Sequence, residues 1–459
     1  MKKRLTPVNC ALMGVATILL GLAVLSLYHD HMRAHDWRLF HVIVNAALLV
    51  TGLLFAASVC CNEKFKRLLL FIVYVAVFCE SMLQLLALVG ILPNLSFYSF
   101  IPYARVYWNK EGKGNGLCNR YGWYYPSLAL KADTRKIAVI GDSFIAAHQI
   151  SRYDNVGWRL QKLLNEKGDT AEVLAFGQPG YGPAYYLELL KYAHRRFHIQ
   201  EALICVFIGN DFRNSSMTLQ PETPPDAYIY YTLNKDGSPS LAPKSGKVVE
   251  KLNRTLEMNH ASLMPWLPEI LKNGCILYQA MFSVANNCAE FIQAVKARRA
   301  DKSKGAKGAK GNATALLDAG LNDVFFKRDL TPDETEAVEI VKALLRECHA
   351  YAKANAITMR LVVIPRFTQN FYKQYADKKE WSPQVGDADL FAPERMLEEF
   401  AAGEGIAILA TGEHMRQNGL TSNDIRILYQ NNGGGHLSAK GHDYFAHAAA
   451  SCFYENKPQ

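Results

Sequence analysis

The sequence predicts an α/β domain built on a parallel sheet, carried behind a bundle of three membrane-spanning helices. Two observations lead there. Apolar residues are concentrated in the first 92 positions, and from about residue 134 short apolar runs alternate with amphipathic helical stretches. The first pattern is that of a membrane anchor. The second, strand and helix in turn, is that of strands buried under helices on both faces.

The anchor is expected from three runs. Residues 10–28 carry no charge, and at roughly 1.5 Å per residue they match a hydrocarbon core of about 30 Å. Residues 39–61 and 68–92 are of similar length, interrupted chiefly by His41, Asn45, Glu80 and Gln84. The first run is too long for a signal peptide and two more follow it. Lys2, Lys3 and Arg4 before the first run, and Lys64, Lys66 and Arg67 before the third, put both flanks in the cytoplasm. An odd number of spans then places everything after Leu92 outside it, in the periplasm if the source is bacterial. Glu80 is expected as a protonated side chain bonded to Asn45 or Gln84. His29, His31 and His35 with Asp30 and Asp36 make only a weak metal motif, and no metal or cofactor is expected. Cys60 and Cys61 read as an inert apolar end.

Residues 93–133 are expected to connect this anchor to the domain at 134–459. There, 136–140 is an apolar run rich in β-branched residues, 171–176 and 202–208 are strand-like, and 155–167 and 183–197 have helical spacing, a βαβαβ order. Thr331, Pro332 and Glu334 supply a capping box with proline at the first helical position, opening a helix to about Asn355. A strand at 359–364, a helix at 393–402, a strand at 406–409 and a helix from Ser438 to about Phe453 complete the pattern. Two insertions stand apart. Residues 213–262 are rich in Pro, Tyr and Asn, and 297–315 form a basic low-complexity stretch with too few apolar residues to pack.

Composition narrows the function. The chain has 459 residues, half of them hydrophobic, and ten cysteines, which excludes a disordered tail protein and a disulfide-dense mini-domain. Its net charge of +9 comes from scattered Lys and Arg, so no nucleic-acid partner is expected.

In a doubly wound sheet, ligands bind beyond the carboxyl ends of the strands. Three polar or glycine-rich sequences fall there: Gly141-Asp142-Ser143, Gly177-Gln-Pro-Gly180-Tyr-Gly182 and Gly209-Asn210-Asp211. Ser143 would open a helix with its hydroxyl exposed and its amide facing a developing anion. Asn210 offers a carboxamide donor, and Gly180 lets the backbone approach closely enough for another N–H. A serine hydroxyl needs a base. His436, in a glycine-rich loop before the last helix, can fold back over the same edge.

These residues resemble the SGNH/GDSL hydrolase family, in the family's order and over roughly 134–455. The resemblance implies a three-layer flavodoxin-like α/β fold. It makes Ser143 the nucleophile and His436 the general base, with the Ser143 amide, the Gly180 amide and the Asn210 side chain as oxyanion donors. Asp142 and Asp211 support them, and no cofactor is needed. Asn119-Arg-Tyr-Gly122 is similar to the lead-in of membrane-anchored bacterial members that act on envelope material. One departure matters. The family's acid, two or three residues before the histidine, is replaced by Gly433 and Gly434. Either Asn431, Asn432 or a backbone carbonyl orients His436, or a distant acid such as Asp424 substitutes, or activity is weak.

The implied function is a serine esterase that removes O-acyl groups, chiefly O-acetyl, from an envelope glycan or lipid at a membrane. The alternatives are an O-acetyltransferase using the same Ser–His site, and a non-catalytic glycan-binding protein with Tyr228, Tyr230 and Tyr231 as sugar platforms.

Overall fold

The computed structural model describes residues 6–17, 53, 62–88, 105–108, 111–126, 134–220, 227–258, 329–366, 384–385, 388–389, 391–430 and 435–455. The chain divides into two compact units. The second comprises Val106–Asn119, Trp123–Asn253 and Ala306–Gln459 and contains the sheet.

Five parallel strands form that sheet: β1 Arg135–Gly141, β2 Ala171–Gly177, β3 Glu201–Phe207, β4 Thr358–Ile364 and β5 Ala407–Ala410. Their spatial order is β2-β1-β3-β4-β5, the flavodoxin-like order of a doubly wound fold. β2 is buried at every position, as expected of a strand covered on both faces.

Helices α1 Ser143–Ala146, α2 Val156–Glu166, α3 Pro183–Phe197, α4 Asp211–Asn214, α5 Pro332–Ala354, α6 Ala392–Glu404, α7 Thr411–Gln417, α8 Ser422–Leu428 and α9 Ala439–Tyr454 surround it. α2 packs with α9 on one face, and α3 with α5 on the other, giving three layers. Local sequence starts several of them. Asn155 caps α2, Ser438 caps α9, and α5 has the reciprocal Thr331–Glu334 box that its sequence predicts. The register pairs Gly141 with Gly177 and Phe207 with Ile364, so the strand ends that carry the polar sequences lie along one edge.

The spanning bundle is not found. Among the described residues no helix is long and apolar enough to cross a membrane. The Glu63–Leu88 helix, which overlaps the expected third span, opens with Glu63, Lys64, Lys66 and Arg67 and carries a half-buried Glu80. Residues 68–79 between these charges rise only about 18 Å, well short of the ~30 Å core. Lys66 is itself buried and hydrogen-bonded to Glu63 and to Asn9. Leu12 and Ala16 of the helical residues 7–17 pack with Leu69, Leu70 and Val73. The rest of residues 10–28, and nearly all of 39–61, lie outside the described residues. So do Asn45, His29, His31, His35, Cys60, Cys61 and the 297–315 insertion.

Candidate active site

The nucleophile candidate sits at the first sharp turn off the sheet. β1 ends at Gly141, and Asp142 caps α1 by accepting from the Phe144 N–H at 2.9 Å. Ser143 is thereby the first helical residue, half-buried, with its hydroxyl free to rotate between two acceptors. His436 Nε2 lies 2.8 Å from Ser143 Oγ, and Asp142 Oδ2 lies 3.3 Å away. The imidazole ring packs on Phe144, 4.9 Å between centroids.

His436 lies in the segment between α8 and α9. Gln430 N–H donates to the His436 carbonyl at 2.7 Å, and Gly435 N–H donates to the Gln430 carbonyl at 3.1 Å. Tyr429 and Leu437 form an isolated antiparallel bridge across its base. Behind the imidazole stands Glu111. Its carboxylate accepts from the His436 main-chain N–H at 2.9 Å through Oε2, and Oε1 bonds His436 Nδ1. Ser143, His436 and Glu111 therefore form an acid–base–nucleophile chain. With Nδ1–H directed at Glu111, Nε2 is left as the acceptor that a serine hydroxyl needs.

Glu111 lies in the turn of a two-stranded ribbon, Arg105–Trp108 with Gly114–Leu117. This ribbon precedes β1 in the chain. Gln149, just after α1, ties it to the histidine loop. The Gln149 carbonyl accepts from Lys113 N–H at 3.0 Å, and its side chain donates to the Leu437 carbonyl at 2.8 Å. A Cβ at Gly435 would overlap Glu111 Oε2, so the residue before His436 must be glycine for the acid to come this close. Gly433 and Gly434, where the resemblance looks for the acid, lie outside the described residues, as do Asn431 and Asn432. Asp424 is occupied elsewhere. It closes a capping box with Thr421 at the start of α8, accepting from Thr421 N–H at 2.9 Å and Thr421 Oγ1 at 2.6 Å.

The expected oxyanion donors lie at the same sheet edge. Gln178 N–H donates to the Gly141 carbonyl at 3.3 Å, joining the loop after β2 to the nucleophile turn. That loop makes a β-turn with Pro179 and Gly180 at its centre, closed by Tyr181 N–H on the Gln178 carbonyl at 3.2 Å. Gly180 has φ +78°, the left-handed value that the third position of a type II turn requires. Asn210 caps the β3 exit as the residue before α4. Its Oδ1 is enclosed and has no hydrogen-bond partner among the described residues. Asp211, fully buried, accepts from Tyr186 Oη at 2.9 Å and from Phe207 N–H at 3.0 Å. Burial holds its carboxyl well above the usual range. Burial also raises Asp142, to about 6, although the Phe144 amide and His436 pull it back.

Other candidates fall away. His148 and His442 are buried and pushed down to about 3, so both are neutral supports. His442 accepts from the Val156 N–H at the start of α2. Tyr230 is fully buried and Tyr228 packs between Tyr185 and Tyr230, so these rings are the core of the insertion and not an open sugar platform. Among the described residues no group of His, Cys, Asp or Glu could hold a metal ion.

No family model matches the chain, and no curated protein matches it in sequence. Solved structures that resemble it are consistently GDSL-type lipolytic hydrolases, esterases and acylhydrolases. One is TesA, 12% identical, covering 70% of this chain and 98% of its own, with a TM-score of 0.33. Another is a single-site mutant of Axe2, an acetyl-xylooligosaccharide esterase from Geobacillus, 10% identical over 72% of this chain and all of its own, at 0.33. A third, described as a lipolytic protein of the G-D-S-L family from Desulfitobacterium hafniense, is 9% identical over 70% of this chain and all of its own, at 0.31. At such low identities and scores, the chemical assignment stands on the sheet order and on the Ser143–His436–Glu111 geometry.

Proposed function

We propose that this protein is a serine ester hydrolase acting through Ser143, His436 and Glu111, and that its substrate is an O-acyl ester, chiefly O-acetyl, on a cell-envelope glycan or lipid. The observation that carries the chemistry is the chain of contacts itself, with Ser143 Oγ 2.8 Å from His436 Nε2 and Glu111 on the far ring nitrogen.

Ser143 Oγ attacks the ester carbonyl as His436 Nε2 takes its proton. Glu111 holds the ring in the required tautomer and stabilises the imidazolium that results. The Gly180 N–H, the Ser143 N–H and the Asn210 carboxamide meet the oxyanion. His436 then protonates the departing alcohol oxygen, leaving an acyl-enzyme. Water, deprotonated by His436, attacks that ester, and its collapse returns the carboxylic acid and free Ser143. Support for an envelope substrate is narrower: it is the Asn119-Arg-Tyr-Gly122 lead-in, similar to that of envelope-acting members.

The test is hydrolysis of 4-nitrophenyl acetate by the full chain beside Ser143→Ala and His436→Ala. A fall of about 10³-fold or more in kcat for both is expected. Folded wild-type protein no more active than Ser143→Ala would overturn the assignment. Release of acetate from O-acetylated envelope polysaccharide tests the substrate, and transfer of the acetyl group to an added sugar in preference to water would make the protein a transferase.

A further inference from the structure

Two expected oxyanion donors, Gly180 and Asn210, come from loops after different strands, and one residue joins them, through its main chain to Asn210 and its side chain to Gly180. Asn214, the last residue of α4, is buried. Its main-chain N–H donates to the Asn210 carbonyl at 2.8 Å, and its side-chain Nδ2 donates to the Gly180 carbonyl at 3.1 Å. Its remaining side-chain atom, Oδ1, accepts from Gln220 Nε2 at 2.6 Å, and Gln220 in turn accepts from Tyr230 Oη at 3.5 Å. The two ends of the Asn214 carboxamide thus point one at an oxyanion loop and the other at the insertion that begins beyond α4.

The geometry at Gly180 makes that contact consequential. Tyr181 N–H is held by the Gln178 carbonyl, and the Gly180 carbonyl by Asn214, so the 180–181 peptide is pinned at both ends. In a turn with Pro179 and Gly180 at its centre, the central peptide can face either way. The φ of +78° at Gly180 belongs to the type II form, and that form fixes the direction of the Gly180 N–H. Free of its anchor, the turn would lose its tie to α4, and the Gly180 N–H its fixed place relative to Asn210. A preset donor lowers the barrier because no reorganisation is left to the moment of reaction.

We propose that Asn214 is a positioning residue that locks the Gly180 and Asn210 donors into one oxyanion hole, with Gln220 buttressing it from the insertion. This rests on the ester-hydrolase assignment. Asn214 does not touch the reacting atoms; it acts through the two loops.

Asn214→Ala is expected to lower kcat for 4-nitrophenyl acetate by about 10- to 100-fold, approaching the loss of one oxyanion donor, with KM within about twofold. Binding of a boronic acid, which forms a tetrahedral adduct on Ser143, should weaken by the same factor. Gln220→Ala, at a partly exposed position that need not disturb folding, should give a smaller loss of the same kind. That loss should vanish in the Asn214→Ala background if Gln220 reaches the Gly180 loop through Asn214. Parallel decreases in kcat and boronate affinity, with Gln220 silent in the double variant, support the proposal. Unchanged kcat and boronate affinity in folded Asn214→Ala or Gln220→Ala, or losses that simply add, overturn it while leaving the hydrolase intact. Absence of Ser143-dependent turnover in the wild type would instead remove the hydrolase assignment, and this proposal with it.

Discussion

At one edge of the sheet Arg135 and Arg360 are balanced by Glu201 and Asp169, whereas at the other Asp142 and Asp211 are enclosed chiefly among neutral donors. Glu201, the first residue of β3, bonds both guanidiniums, and Arg135 also reaches Asp169. Burial opposes ionisation of Glu201, yet the Arg360 and Arg135 charges hold its carboxyl below the usual range. Arg360 lies over the rings of Phe453 and Tyr454, which close that edge. At the carboxyl edge the partners are amides, hydroxyls and His436, and burial wins: Asp142 rises to about 6 and Asp211 well above its ordinary value. The contrast separates two uses of a buried carboxylate. Where its charge is cancelled locally it fixes strands. Where no cation cancels its charge, burial dominates and the carboxyl keeps its proton to higher pH.

The sharpest way to break the comparison is at Glu111. If it is the acid of the chain, Glu111→Gln should cut kcat by about 10³- to 10⁴-fold without changing stability comparably. Asp424→Asn should leave kcat within about twofold. Steady-state kinetics on both, with active sites counted by the acyl-enzyme burst, decides between them. Equal activity of Glu111→Gln and wild type would detach the ribbon from catalysis.

Glu201→Gln addresses the opposite edge. It leaves the buried Arg360 guanidinium short of its partner, while the half-buried Arg135 keeps Asp169, and denaturant unfolding should show a loss of about 3 kcal/mol. Turnover per folded molecule should not change. A kinetic defect without a stability loss would erase the distinction between the edges.

A smaller effect concerns a third enclosed carboxyl at the carboxyl edge. Glu394 on α6 accepts from the Gly412 and Glu413 N–H groups at the start of α7, which follows β5 directly. Burial raises it from 4.5 to about 8. The folded protein therefore keeps a proton that the unfolded chain releases above about 4.5. The resulting stability is full below that pH and is lost as pH rises through about 8. Tm should fall from about pH 5 to about pH 8 in the wild type, and Glu394→Gln should flatten that slope by a few degrees. An unchanged slope would remove Glu394 as its source.

Much of this fold could be read from local pattern. The strand runs, the capping box at Thr331 and the order of the Gly141, Gly177 and Gly209 sequences sufficed, because each is a property of neighbouring residues. Glu111 could not be found that way. It stands 325 positions from His436 and in a segment that looks like a connector. Its one trace is the glycine run ending at Gly435, which reads as a missing acid but also marks room for an acid from elsewhere. Asn214 was hidden for the same reason, since its partners lie on another loop. The spanning bundle failed in the other direction. The helix that forms begins at Glu63, ahead of the apolar run, and Glu80 limits its uncharged stretch to residues 68–79.

Drawing the acid from a ribbon ahead of the sheet and the base from a loop behind it also sets an order in time. As the chain is synthesised, Glu111 and Ser143 leave the ribosome before β4 and β5 exist, and His436 follows only after β5. A nascent chain with every strand in place still lacks its base. Under the proposed assignment, the Ser143 proton therefore has no acceptor at Nε2 until the His436 loop has joined the sheet edge.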